Sequence, residues 1–134
     1  MELITKFFFY LYVITLVVVG FCGLFVAPWE LRLVFHVDLN SMSAIDAATL
    51  SSQYRFLKGL ELGCGCFALR WHREIFSTRA FRNSFLIIVW AGVFGRLVSL
   101  FVEHKPHTLF LVFLILEAIT GVLMLLHKSS DQNG

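Results

Sequence analysis

The sequence predicts an all-α polytopic membrane protein, a four-transmembrane-helix antiparallel bundle with an extended outer loop between its first and second crossings. Three observations lead there. Hydrophobic residues make up 58% of the 134 positions and the mean hydropathy is +0.80, which leaves too little polar material to coat a water-soluble domain of this size. Four stretches approach the roughly 20 mostly apolar residues that one crossing needs, about 7–26, 54–71, 85–102 and 108–126. Together they use most of the chain, so a single transmembrane domain over 1–134 is expected, with no separate soluble domain. The net charge of +2, from 11 basic and 9 acidic residues, is too balanced to point to nucleic acid, and the lipid bilayer is the expected surrounding.

The first run follows Lys6 and is nearly free of charge. It continues well past the roughly 7 to 15 residues of a cleaved signal core, and Phe21 before Cys22 makes a poor processing site. It is therefore expected to stay as an ordinary first helix. Tyr10 and Tyr12 near its start and Trp29 beyond its end are amphipathic rings suited to a membrane interface. Gly20 and Gly23 would admit a close neighbour, and Pro28 is expected to end the span.

From Leu31 to Leu39 the pattern turns to near alternation, with Leu31, Leu33, Phe35, Val37 and Leu39 on one side and Arg32, Val34, His36 and Asp38 on the other. A lone strand cannot cross hydrocarbon with open edges, so this segment is expected flat on the surface or folded over the bundle mouth; a short helix is the competing reading. Asn40 to Ser43 breaks the alternation, and Ser43 followed by Asp46 reads as an N-cap with an acidic first turn. A helix starting near Ala44 and running through Trp71 would project its first turns beyond the bilayer.

The following loop, 72–83, carries Arg73, Glu74, Arg79 and Arg82; the third crossing holds Trp90, Gly92, Gly95 and Arg96. A tight turn at 103–107 contains Pro106, the fourth crossing has Glu117 in its middle third, and the tail from His127 is polar and expected to fray. Lys6, Arg70, Arg73, Arg79, Arg82 and Lys128 flank the side holding both termini, against Arg32, Arg55, Lys58 and Lys105 on the other. By the positive-inside rule both termini are expected in the cytoplasm and the 27–53 loop outside.

Charges inside the crossings carry the functional question. With antiparallel neighbours, Glu61 lies seven residues in from the outer side, Arg96 six and Glu117 nine, which places all three roughly 9 to 14 Å deep at about 1.5 Å per residue. Arg55 and Lys58 sit above them, near enough to snorkel toward water. A charged residue at mid-membrane costs about 2.5 to 3.5 kcal/mol on insertion scales, so several at one depth imply mutual pairing or a water-filled pocket. Arg96 with Glu117 or Glu61 is the expected pair. Two readings stand side by side: an ion-pair clamp that fixes helix register, and a ligand site using Arg55, Lys58, Glu61, Arg96 and Glu117. Gly59 and Gly63 in a GxxxG pattern, with Gly95 and Ser99 repeating the spacing, are expected at helix-packing contacts between the second and third crossings.

Other candidates weigh less. Cys64 and Cys66 are about 200° apart on a helix and cannot chelate together; with Cys22 they read as core residues. His36, His104 and His107 read as surface histidines rather than a metal set. No catalytic residue, metal site or cofactor is expected, because the chain contains no Ser-His-Asp arrangement, phosphate loop, HExxH or paired CxxC.

The run Arg55-x-x-x-Gly59-Leu60-Glu61-Leu62-Gly63-x-Gly65, with Gly95-Arg96-Leu97-x-Ser99-Leu100 and Glu117, resembles a family of small four-helix bacterial inner-membrane proteins classed only as a domain of unknown function. In size and helix count the chain is also similar, more distantly, to DoxX-like membrane proteins. The resemblance implies a bacterial inner membrane and marks an Arg and two Glu as characteristic positions; it implies no activity. The expected function is binding, without catalysis, of a small amphipathic or anionic ligand or of a membrane partner at an outward-facing intramembrane charged pocket. A homo-oligomer is one such partner. A small transporter or channel subunit is the alternative, and a lipid- or quinone-linked enzyme is the third reading.

Overall fold

The computed structural model describes residues 2–103 and 107–127. The Lys105-Pro106 turn, His104, Lys128 and the tail expected to fray lie outside the described residues. Six α-helices and one 3-10 turn follow in order: α1 (Glu2–Phe25), α2 (Ala27–Leu33), the 3-10 turn Leu39–Ser41, α3 (Ala44–Arg70), α4 (His72–Ser77), α5 (Arg79–Glu103) and α6 (Thr108–Leu126). No strand occurs among the described residues.

Three helices are long and apolar enough to cross a membrane, Glu2–Phe25, Arg79–Val102 and Thr108–Leu126, and the chain is a membrane protein by that measure. Their outward faces agree. On α5, Ile87, Phe94 and Phe101 are about seven residues apart and 70%, 69% and 72% exposed, a stripe that suits lipid and that water would penalise. The expected second crossing, 54–71, is not among the three, since it retains Arg55, Lys58, Glu61 and Arg70.

Pro28 does not simply end a helix. The chain bends at Val26, and Pro28 stands in the first turn of α2, where a proline's missing N–H would have had no intrahelical partner. The Glu30 N–H donates to Val26 O at 3.0 Å, so the helix restarts almost at once. The alternation from Leu31 to Leu39 is not extended structure: α2 takes its first part, and the chain reverses at His36, φ 56°. Val37 N–H then donates to Leu31 O at 2.9 Å and satisfies a terminal carbonyl of α2. The short-helix reading is realised only at the ends of this segment: Leu31–Leu33 complete the seven-residue α2 and Leu39 opens the 3-10 turn, while 34–38 form the reversal between them.

The start of α3 follows the cap read from the sequence. Ser43 Oγ accepts from Asp46 N at 3.1 Å and donates to Asp46 Oδ2 at 2.7 Å, and the helix runs unbroken from Ala44 to Arg70.

The chain divides into two compact units: residues 1–13 with 67–134, and residues 14–66. In the first, α5 packs against α4 and α6. Its core holds Phe9, Val13, Ile75, Phe85, Val89 and Met124, all essentially inaccessible to solvent. Phe9 stands 5.0 Å from Phe76 and 5.1 Å from Phe85 between ring centroids, within the range of favourable edge and tilted aromatic pairs. In the second unit, α1 and α3 meet backbone to backbone. A Cβ at Gly20 would stand 2.6 Å from Leu62 N and 2.9 Å from Lys58 O, and one at Gly65 would stand 2.7 Å from Val17 Cγ2. This is the small-residue contact by which helices approach closely without a difference in hydrophobicity to drive them.

Candidate functional site

Among the described residues, each unit contains one buried ion pair, built differently. On α5 and α6, Arg96 Nε donates to Glu117 Oε2 at 2.9 Å and Arg96 Nη2 donates to Glu117 Oε1 at 3.3 Å. The fork-to-fork geometry matches two donors to two acceptors. Glu117 is 4% exposed, and the guanidinium lies 5.3 Å from the Phe113 ring centroid and 5.8 Å from that of Phe110, so the charge is shielded by aromatic faces.

Local sequence makes room for this pair. Gly92 stands four residues before Arg96, and a Cβ there would come 3.4 Å from Glu117 Oε2. Gly121 stands four residues after Glu117, and a Cβ there would come 3.1 Å from Trp90 Cε2. A glycine one turn from each charged residue lies on the same helix face, and that spacing is the signal by which both could have been found.

In the unit of residues 14–66, Lys58 Nζ donates to Glu61 Oε2 at 2.9 Å and lies 5.3 Å from the Tyr54 ring centroid. Snorkelling of Lys58 is not what occurs: the residue is 5% exposed. Its stem fills the space that Gly23 leaves, where a Cβ would stand 2.5 Å from Lys58 Cγ and Cδ. The physical reason is the acid three residues on, which supplies an ion pair without requiring the chain to reach water. Arg55, by contrast, is exposed.

Glu30, on α2, completes this cluster. Its Oε2 would stand 2.9 Å from a Cβ at Gly23, beside the Lys58 stem. Glu30 Oε2 and the Tyr54 hydroxyl are both buried and lie close enough to interact with each other, but neither forms a hydrogen bond of good geometry. Neither residue was among the expected site residues. The legible signal was an acid seven residues after Gly23, two helical turns on.

Of the expected site residues, then, Arg96 meets Glu117, Lys58 meets Glu61, and Arg55 joins neither pair. The expected packing glycines are open instead: a Cβ at Gly63 or Gly95 would meet nothing within 4 Å, and Gly59 has Leu24 Cδ1 at 4.0 Å. Ser99 is exposed. Close approaches fall at Gly20, Gly23, Gly65 and Gly121, because a GxxxG spacing identifies a possible contact face and the neighbour's position decides which glycine is used.

Cys22, Cys64 and Cys66 are free thiols, Cys64 half-buried and the other two exposed. His107 caps α6, its Nδ1 accepting from Leu109 N at 3.3 Å. Among the described residues, no group of three or more His, Cys, Asp or Glu is arranged to hold a metal ion.

No curated protein and no solved structure shows a significant match to the chain. A family model does match, over residues 4–127, and that span includes both ion pairs and nearly every described residue. The chain belongs to this family, a domain of unknown function, DUF4345.

Proposed function

We propose that the protein is a multi-pass bacterial inner-membrane protein that binds a small amphipathic molecule or a membrane partner. The carrying observation is a pair of buried polar atoms, Glu30 Oε2 and the Tyr54 hydroxyl, that adjoin each other without a well-formed hydrogen bond, beside the buried Lys58. Buried polar groups are normally hydrogen-bonded, and each exception calls for a physical account; a ligand's polar end is that account here. Arg96 with Glu117 is the clamp, since each carboxylate oxygen already accepts from the guanidinium in a two-point contact. For the anionic ligand expected from the sequence, Arg55 is the cation of the expected site outside an ion pair, since Lys58 and Arg96 are each paired with an acid, and Arg55 is exposed.

On this reading α3 is the fourth crossing, both termini are cytoplasmic, and the four crossings form one antiparallel bundle. Its exposed apolar faces meet lipid or a second copy of the chain. Binding is favoured over conduction because Thr120, a polar side chain in the inner half of α6, has its hydroxyl on Leu116 O at 2.8 Å, leaving the rest of 119–126 apolar.

Two measurements test the reading. Reporter fusions after Ser43 and at the C-terminus should give opposite signals; equal signals would remove α3 as a crossing. Native mass spectrometry of protein extracted in mild detergent should show a retained small molecule or second protein, lost when Tyr54 and Glu30 are replaced by Phe and Gln. A bare, unchanged mass in both proteins would end the binding reading.

A further inference from the structure

The charge count around Gly23 specifies what such a ligand presents. Two carboxylates share this cluster with one buried ammonium: Glu61 engages the Lys58 ammonium, and Glu30 lies beside the Lys58 stem. Arg32 and Arg55, the other cations of residues 14–66, are exposed. Glu30 Oε2 can only accept when ionised, whereas the Tyr54 hydroxyl can donate or accept. A buried carboxylate with no cation paired to it and no well-aligned donor is costly, and an anionic head group would add a third negative charge.

We propose, building on the ligand-binding reading above, that the site takes the primary ammonium of an amphipathic molecule, its N–H groups donating to Glu30 Oε2 and the Tyr54 oxygen. The surroundings suit both ends of such a molecule. Glu30 follows Trp29, which is 61% exposed and of the residue type that marks a membrane interface. Phe21 and Phe25, whose rings lie tilted to each other with centroids 4.8 Å apart on α1, are exposed apolar side chains along which a hydrocarbon tail can lie. The same chemistry is offered by a free alkylamine and by an aminophospholipid head group.

The test uses full-length protein in phosphatidylcholine nanodiscs, titrated calorimetrically with dodecylammonium or dodecanoate, with empty nanodiscs as the baseline. Dodecylammonium should bind at least about tenfold more tightly than dodecanoate, and Glu30→Gln should remove about that factor, the scale of one charge-assisted hydrogen bond. Tyr54→Phe should weaken binding by a smaller factor, and thermal melting of each variant confirms that it is folded. Introducing phosphatidylethanolamine should depress dodecylammonium binding if the lipid head group is the natural source and leave it unchanged if a free amine is; either result supports the ammonium assignment. Equal binding of the two dodecyl compounds, or full binding by folded Glu30→Gln, overturns that assignment. If the native protein nevertheless co-purifies with another molecule, the binding reading survives that result.

Discussion

The two buried ion pairs differ in completeness. Arg96 and Glu117 form a closed unit, with two donors on two acceptors and aromatic rings around the cation. Lys58 and Glu61 form an open one: a single bond at 2.9 Å, a second carboxylate alongside, and two buried atoms with no well-formed hydrogen bond. A lysine ammonium is a point charge on a flexible stem, whereas a guanidinium is a planar fork that fixes its partner's orientation. On the proposed reading, the closed pair sets helix register and the open one serves recognition.

The largest expected effect comes from breaking the closed pair. Arg96→Ala leaves the Glu117 carboxylate buried and unpaired and should lower stability by about 3 kcal/mol, since truncating one partner exposes the full desolvation cost of the other. Glu117→Ala should behave similarly, and the double variant should lose less than the sum. Thermal denaturation of the four proteins in one detergent measures this; additive losses would show that the pair is not a unit.

A smaller effect separates the glycines. Gly20→Ala places a methyl 2.6 Å from the Leu62 backbone and should cost about 1 to 3 kcal/mol by overpacking. Gly63→Ala meets nothing within 4 Å and should leave the melting temperature nearly unchanged. Equal losses at both positions would contradict the packing between α1 and α3.

The smallest effect on stability distinguishes Lys58 from Arg55. Charge placement along α3 treats them alike, but only Lys58 is buried. Lys58→Gln should therefore lower the melting temperature and alter retained ligand together, while Arg55→Gln should leave stability unchanged. Indistinguishable variants would mean that the open cluster is not built around Lys58.

Hydropathy made legible the helical class and the three helices long and apolar enough to cross a membrane, because a membrane helix must be a long apolar run that satisfies its own backbone. The cap at Ser43 and Asp46 was equally legible, since its bonds lie within four residues. Depth counting brought Arg96 to Glu117, leaving Glu61 as a competing partner. The Leu31 to Leu39 alternation misled because nine residues hold too few repeats to separate a strand from a short helix and a reversal.

By itself, then, the sequence determined that this chain is helical, membrane-embedded and obliged to neutralise charges within its apolar stretches. Only the tertiary structure decided how: Glu61 turned to Lys58 within its own helix, Arg96 was left to Glu117, and Glu30 came in from α2 to meet Gly23. The reason is physical. Hydropathy and capping are properties of a segment, whereas the pairing of a buried charge depends on which neighbouring backbone is close enough, and that is set by where glycines let helices touch.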